Sequence, residues 1–314
     1  MSEGAEQLVS TPPARQHINN NLKSLWDTVK VHIKDGTLPT VAVARLTSVL
    51  LLHPLDTFKS RLQHTTATSA RATTVFARNV PPFVGLPAAI LGQVPYTALS
   101  LVLFLHLKDR LPSIPESRRA ISAALISDSV AALWLTPFES MKLRVQTSVQ
   151  PCVSRAFRVG GLYSGLNAEL LRDVPYRSAH LALLAALAVR EKRRDVRGTL
   201  GSACIAAAVA IVTNPLDVVR TRVMAQNSSQ SSKLYSSAVH CAGRIIKHEG
   251  MTALFKGAVP RAVYMGASVL IFSTAYTAME RYGSVYLKKT ISPLVSRASI
   301  KKPEDAKSAV LRRR

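Results

Sequence analysis

A proline, an acid two residues on, a base three beyond that and a second base two further recur three times along this chain. The groups are Pro54, Asp56, Lys59 and Arg61, then Pro137, Glu139, Lys142 and Arg144, then Pro215, Asp217, Arg220 and Arg222. An acid and a base three apart share one face of a helix, and the proline ahead of them kinks it. Copied three times round an axis, such groups close a ring in which each acid reaches the base of the next helix. The other reading of the same charges is a solvated face at a membrane interface. A second constellation is Arg172 beside Asp173 in LLRDVPY. Complementary charges there suit the carboxylate and ammonium of an amino-acid zwitterion, or they pair with other helices. No nucleophile, base and acid recur as a set. Cys152, Cys204 and Cys241 have no metal-ligand spacing, so the expectation is no enzyme, no metal and no cofactor.

The elements that must position these groups are long and apolar. Residues 79–107, 198–216 and 262–279 hold no Asp, Glu, Lys or Arg, and a spanning helix needs roughly 20 such residues. Three weaker runs lie at 38–55, 120–138 and 174–189, interrupted by Arg45, Asp128 and Arg177. An ionisable group inside a span demands a watery interior or a partner. The runs alone also fit a soluble protein with long core helices. Of 314 residues 47% are hydrophobic, too many for a disordered chain, and three cysteines make no disulfide scaffold but fit a reducing compartment. The net charge of +23, from 41 basic and 18 acidic residues, admits nucleic acid, anionic lipid or a transported anion. The bases are spread between apolar runs and only 6% of residues are aromatic, which argues against a nucleic-acid partner. Residues 1–17, with Glu3, Glu6, Pro12 and Pro13, lack the Arg-rich, acid-poor makeup of a cleaved transit segment.

The three prolines are 83 and 78 residues apart, a period that marks internal repeats. Each copy is trailed by an aromatic, any residue and a glycine: Phe83-Val84-Gly85, Tyr163-Ser164-Gly165 and Phe255-Lys256-Gly257. Pro95 and Pro175 each follow their glycine by ten residues. At these residues the sequence resembles the mitochondrial carrier family, over about residues 38–282. The resemblance implies an all-α membrane protein with six transmembrane helices in three pseudo-symmetric repeats around a central cavity. The division it implies is an N-terminal tail (1–37), repeats at 38–112, 113–194 and 195–287, and a basic tail (288–314). The activity it implies is transport of a small metabolite by alternating access across the mitochondrial inner membrane, as exchange or uniport, with a plastid or other organelle membrane as the alternative.

Carried over position by position, the resemblance pairs Asp56 with Lys142, Glu139 with Arg220 and Asp217 with Lys59 in a matrix-side gate. Gln63 and Gln146 stand where the family braces those pairs, and Met224 occupies the third such position. The opposite gate falls on Leu105 and Lys108, Ala185 and Ala188, and Thr277 and Glu280, which form no acid–base ring. The matrix gate is therefore expected to be the stronger. At about 1 kcal/mol for each partly wet ion pair, three pairs bias the resting carrier toward the cytoplasm-open state by roughly tenfold to a hundredfold.

Substrate contacts, by the same resemblance, fall on Gly92 and Gln93, Arg172 and Asp173, and Tyr264 and Met265. Gly92 leaves space, Arg172 takes a carboxylate, Asp173 takes an ammonium, and Tyr264 offers a face for stacking or cation–π contact. The stretches PLDTFKSRLQ, LLRDVPY, NPLDVVRTRVMAQ and FKGAVPRAVYMG look most like the branch that carries S-adenosylmethionine. Glutathione and amino-acid carriers share the Arg-Asp pair before proline, and a carrier-like adaptor that no longer transports is the reading of a different class.

Nine residues before each motif proline, where small residues let helices approach closely, stand Arg45, Asp128 and Ala206. Arg45 and Asp128 are opposite in charge at equivalent positions, so they pair, or they line the cavity and touch substrate. Cardiolipin at the starts of the helices after each aromatic-x-Gly follows from the resemblance, and helix N-termini do favour phosphate. A monomer is expected. REKRRDVR at 190–197 reads as a solvated loop near anionic headgroups, and the tail from Lys288 as a basic, unstructured end.

Overall fold

The computed structural model describes residues 12–64, 81–111, 115–147, 161–163, 165–186, 196–226 and 235–283. The basic stretch at 190–195, Ala188, Ser164, Cys152 and the tail from Lys288 lie outside them. Every regular element among these residues is helical. In chain order they are α1 (Pro12–Lys34), α2 (Thr37–His64), α3 (Leu86–Arg110), α4 (Glu116–Gln146), α5 (Leu166–Ala186), α6 (Val196–Val212), α7 (Asn214–Ala225), α8 (Ala238–Glu249) and α9 (Ala258–Ala278), with a 3₁₀ turn at Met251–Phe255. The chain divides into a larger compact unit, residues 44–274, and a smaller one made of residues 1–43 and 275–314. In the smaller unit Lys30 sits 3.3 Å from Asp27 and 5.8 Å over the ring of Trp26, exposed contacts of little energy.

Among the described residues, four helices are long and apolar enough to cross a membrane: Thr37–His64, Leu86–Lys108, Arg118–Gln146 and Met251–Arg281. The bent pair Arg197–Val212 with Asn214–Ala225, turned by 66°, makes a fifth when counted as one span. The sixth segment, α5, misses that apolar standard because Glu169, Arg172, Asp173 and Arg177 crowd its 21 residues.

The prolines of the first two repeats, Pro54 and Pro137, lie inside continuous helices. The third copy differs, because there the helix breaks outright. Thr213 closes α6 by giving both its N–H (2.9 Å) and its hydroxyl (2.8 Å) to the carbonyl of Val209. Asn214 turns its side-chain amide away to the carbonyls of Leu254 (2.8 Å) and Lys256 (3.3 Å). Pro215, lacking an N–H, then suits the first turn of a new helix.

The helix after each glycine starts the same way. The N–H of Ala89, Glu169 and Arg261 reaches back to the carbonyl of Gly85, Gly165 and Gly257 at 3.0, 2.9 and 3.0 Å. Gly85 and Gly257 hold φ of 80° and 76°, a conformation that favours glycine. The aromatic residues two before them, Phe83, Tyr163 and Phe255, are each about half exposed. Short α8 is anchored by an apolar face: Cys241 and Ile245 pack with Val218, Val219, Val223 and Leu254, and Ser237 caps its start by accepting from His240 N–H at 3.1 Å.

Candidate functional site

The lower halves of α2 and α4 and the whole of α7 converge in the larger unit, and their buried residues there are largely polar. Lys142 lies 3.0 Å from Asp56, Arg220 3.0 Å from Glu139 and Lys59 2.8 Å from Asp217. Each repeat thus meets the next, and the third meets the first. All six side chains sit in residues at most 6% exposed, so they face one another and not solvent. Within α4, Lys142 also reaches Glu139 at 2.8 Å. Gln63 donates to Asp217 at 2.8 Å and accepts from Thr221 at 3.0 Å. Gln146 donates to Thr57 at 3.0 Å and to Asp56 at 3.5 Å. The second bases of the motif tie helix ends together: Arg61 donates to the carbonyl of Gln146 and Arg222 to that of Gln63, at 3.0 and 3.2 Å.

The aromatic-x-Gly glycines interlock with this ring. A Cβ on Gly257 would stand 3.0 Å from Cγ of Gln63, one on Gly85 3.6 Å from Cγ of Gln146, and one on Gly165 2.3 Å from Cγ of Met224. Each glycine therefore seats against the brace position of the following repeat. Where the third brace is missing, the Met224 thioether side chain fills the space by packing alone and is buried.

Two further charged residues join the ring that pattern-reading did not single out. Glu169, fully buried, accepts from Arg220 and from the Thr136 hydroxyl, both at 2.8 Å. Arg261, also fully buried, lies 3.4 Å from Asp217, donates to the Thr213 hydroxyl at 3.0 Å and stacks over Tyr176 at 5.9 Å. Both stand four residues past a motif glycine, where the first repeat has Ala89. Opposite charges at equivalent places in two even helices were the available signal. Asp217 consequently gathers three cations, Lys59, Arg172 and Arg261.

The expected substrate residues are placed as follows. Arg172 pairs with its neighbour Asp173 and also reaches Asp217 at 3.2 Å, which ties the Arg-Asp pair to the ion-pair ring. Gln93 accepts from Arg45 at 2.8 Å and donates to Glu139 at 3.0 Å. Tyr264 presents its ring to Lys59, whose ammonium stands 5.8 Å from the centroid. Met265 is half-buried beside it.

Two expectations are corrected. Gly92 does not open space for a solute: a Cβ there would come 2.7 Å from Cβ of Phe138 and 3.3 Å from Leu135. Its bare face lets α3 approach α4, a packing role. Arg45 and Asp128 are not brought together either. Asp128 is taken by Arg177 (3.2 Å), the Tyr96 hydroxyl (3.2 Å) and the Ser100 hydroxyl, while Arg45 turns to Gln93. Equal depth on two helices does not make neighbours when nearer partners compete.

The arrangement closes one end of the helices with ion pairs and sets an Arg-Asp pair against the closure, with an aromatic face alongside. Charge pairs in such a low-dielectric site are strong when made and costly when half-broken, as a two-state gate requires. The profile of the mitochondrial carrier protein family matches residues 193–286. S-adenosylmethionine carrier 1, chloroplastic/mitochondrial, of Arabidopsis thaliana is 32% identical over 239 residues, 70% of this chain and 70% of that protein. The mitochondrial S-adenosylmethionine carrier protein of Mus musculus is 29% identical over 260 residues, 77% of this chain and 92% of that one. Mitochondrial glutamate carrier 1 of Homo sapiens matches a shorter stretch, 35% identical over 128 residues, 39% of this chain and 40% of its own.

Proposed function

The chain belongs to the mitochondrial carrier family, and on that premise we propose that it exchanges S-adenosylmethionine across the mitochondrial inner membrane by alternating access. Support comes from the two relatives named for that solute, which align with most of this chain, and from an Arg-Asp pair suited to an amino-acid end. The observation that carries the mechanism is the 3.2 Å contact of Arg172 with Asp217. It joins the solute-binding residues to the gate, so that filling one disturbs the other. In this reading three repeats, 38–112, 113–194 and 195–287, surround the solute path. The matrix gate, closed by its ring, opens when the solute enters from the other side.

Asp173 meets the solute's ammonium and an arginine its carboxylate. Tyr264, whose ring Lys59 now faces, is released for the adenine or the sulfonium once Lys59 leaves Asp217. No bond is made or broken in the solute, and no metal or cofactor takes part. Phosphate groups of cardiolipin suit the helix starts at Gly85, Gly165 and Gly257, beside the half-exposed aromatic residues. The protein works as a monomer without a nucleic-acid partner. Because the Arabidopsis relative is named for chloroplasts as well as mitochondria, a plastid membrane is the alternative site.

A second reading is an amino-acid or glutathione carrier. The likeness to the human glutamate carrier, 35% identical over 128 residues, favours it. The buried, fully paired ring favours a working gate over a non-transporting adaptor. Liposomes loaded with S-adenosylmethionine, glutathione or glutamate decide among these. Saturable exchange of S-adenosylmethionine that Asp173→Asn reduces at least tenfold is the expected outcome. Saturable exchange of glutamate alone selects the second reading, and none with any amino-acid derivative selects the adaptor.

A further inference from the structure

Outside the threefold motif, α2, α5 and α9 carry four arginines in the larger unit: Arg45, Arg172, Arg177 and Arg261. Three have carboxylate partners. Arg172 has Asp173 and Asp217, Arg177 has Asp128 at 3.2 Å, and Arg261 has Asp217 at 3.4 Å. Arg45 has an amide: its Nη2 donates to Oε1 of Gln93 at 2.8 Å, and its Nε–H is buried without an acceptor. Arg172 also has an orphan Nε–H, but its charge is answered twice. The acid at the position equivalent to Arg45, Asp128, is engaged by Arg177, Tyr96 and Ser100.

A guanidinium inside a span without a counter-charge is expensive to keep. Exchanging a neutral amide oxygen for a carboxylate answers the charge of the guanidinium and allows two parallel N–H···O bonds in place of one. A solute carboxylate arriving at Arg172 has to displace a side-chain carboxylate, and so gains little. One arriving at Arg45 displaces only the oxygen of Gln93. That glutamine is itself held by the gate, since its Nε2 donates to Glu139 at 3.0 Å, which poses the guanidinium in advance.

We propose that Arg45, and not Arg172, receives the carboxylate of the transported amino-acid derivative, with Gln93 as the residue that positions it. This rests on the reading of the chain as an amino-acid-derivative carrier and deepens it by dividing the zwitterion between α2 and α5. Arg172 is then a gate residue, bound to Asp217, and Asp173 remains the acceptor of the ammonium.

The test compares S-adenosylmethionine with its decarboxylated analogue, which keeps the ammonium, sulfonium and adenosine but has no carboxylate, in proteoliposomes containing the full chain. Wild type is expected to prefer the carboxylate-bearing solute. Arg45→Gln is expected to raise KM for S-adenosylmethionine on the order of ten- to a hundredfold while leaving uptake of the analogue near wild type, which also shows that the variant is folded. Arg45→Lys, which keeps the charge and loses the fork, falls between. Loss of both solutes alike in Arg45→Gln, or collapse of the preference in Arg172→Gln with Arg45→Gln unaffected, overturns the proposal. If wild type takes up neither solute, the reading of the chain as an S-adenosylmethionine carrier fails first and the assignment of Arg45 fails with it.

Discussion

Arg172 of α5 and Asp217 of α7 lie 3.2 Å apart, and the same carboxylate holds Lys59 at 2.8 Å and Arg261 at 3.4 Å. One carboxylate thus serves three cations, from α2, α5 and α9, whereas Asp56 has an ion pair with Lys142, at 3.0 Å. The ring has a threefold pattern in sequence but a single dominant node in structure.

That asymmetry makes the first prediction. Asp217→Asn strips three buried cations of their common partner, and breaking a buried pair costs about 3–5 kcal/mol. The solubilised variant should melt well below Asp56→Asn. Thermal unfolding of the two variants side by side is the check, and equal melting points would contradict the node.

The second concerns the interlock. Gly165→Ala drives a methyl toward Cγ of Met224, 2.3 Å away, and overpacking of this kind costs about 1–3 kcal/mol. The double variant Gly165→Ala with Met224→Ala should recover part of that loss, because the second change removes the obstructing atom. A double variant less stable than either single one would show that the two residues do not share the space.

The third concerns the resting state. With Cys152, Cys204 and Cys241 replaced by Ser, a cysteine at Met265 should react with an impermeant thiol reagent from the cytoplasmic side. Reaction from the matrix side should be at least about tenfold slower, as three closed ion pairs imply. Equal rates from both sides without solute would mean that the ring does not set the resting state.

The fourth is a pH dependence outside the spans. Burial in the apolar face of α8 pushes the Cys241 thiol up from 9.0 to about 12. Below pH 9 the thiol is neutral in both folded and unfolded chains and costs nothing. Above it the unfolded chain releases the proton while the folded one holds it, so stability falls as pH rises from 9 toward 12. At pH 8 only about one folded molecule in ten thousand carries the thiolate. Alkylation of Cys241 should therefore be negligible in native protein and appear on unfolding, and Cys241→Ala should flatten the alkaline loss. Mass-spectrometric mapping of native alkylation measures the first and pH-dependent melting the second.

The repeated parts of the site were legible in the sequence because a motif copied three times announces both its spacing and its charge signs. Asp56, Lys59, Glu139, Lys142, Asp217 and Arg220 are all found by that route, while the braces Gln63 and Gln146, absent from the third copy, follow from the resemblance to the family. What the repeat could not announce is whatever departs from it. Glu169 and Arg261 occupy equivalent places but carry opposite charges, with Ala89 in the first copy, so no motif contains them. Counting along a helix located Gly92 but not its rotation about the helix axis, and its bare face turns out to meet Phe138. The break at Thr213 was hidden for a similar reason: all three copies have a proline, and only the side-chain bonds of Thr213 and Asn214 separate a bend from a break.

The seat of Gly257 against Gln63 has a bearing on biogenesis. A residue of the third repeat completes the surroundings of one in the first, 194 positions earlier in the chain. Lys59 likewise has to wait for Asp217 of the third repeat, whereas Asp56 meets Lys142 of the second. Without the third repeat, Lys59 and Gln63 lack Asp217 and Gly257, so the first repeat cannot finish its own packing alone.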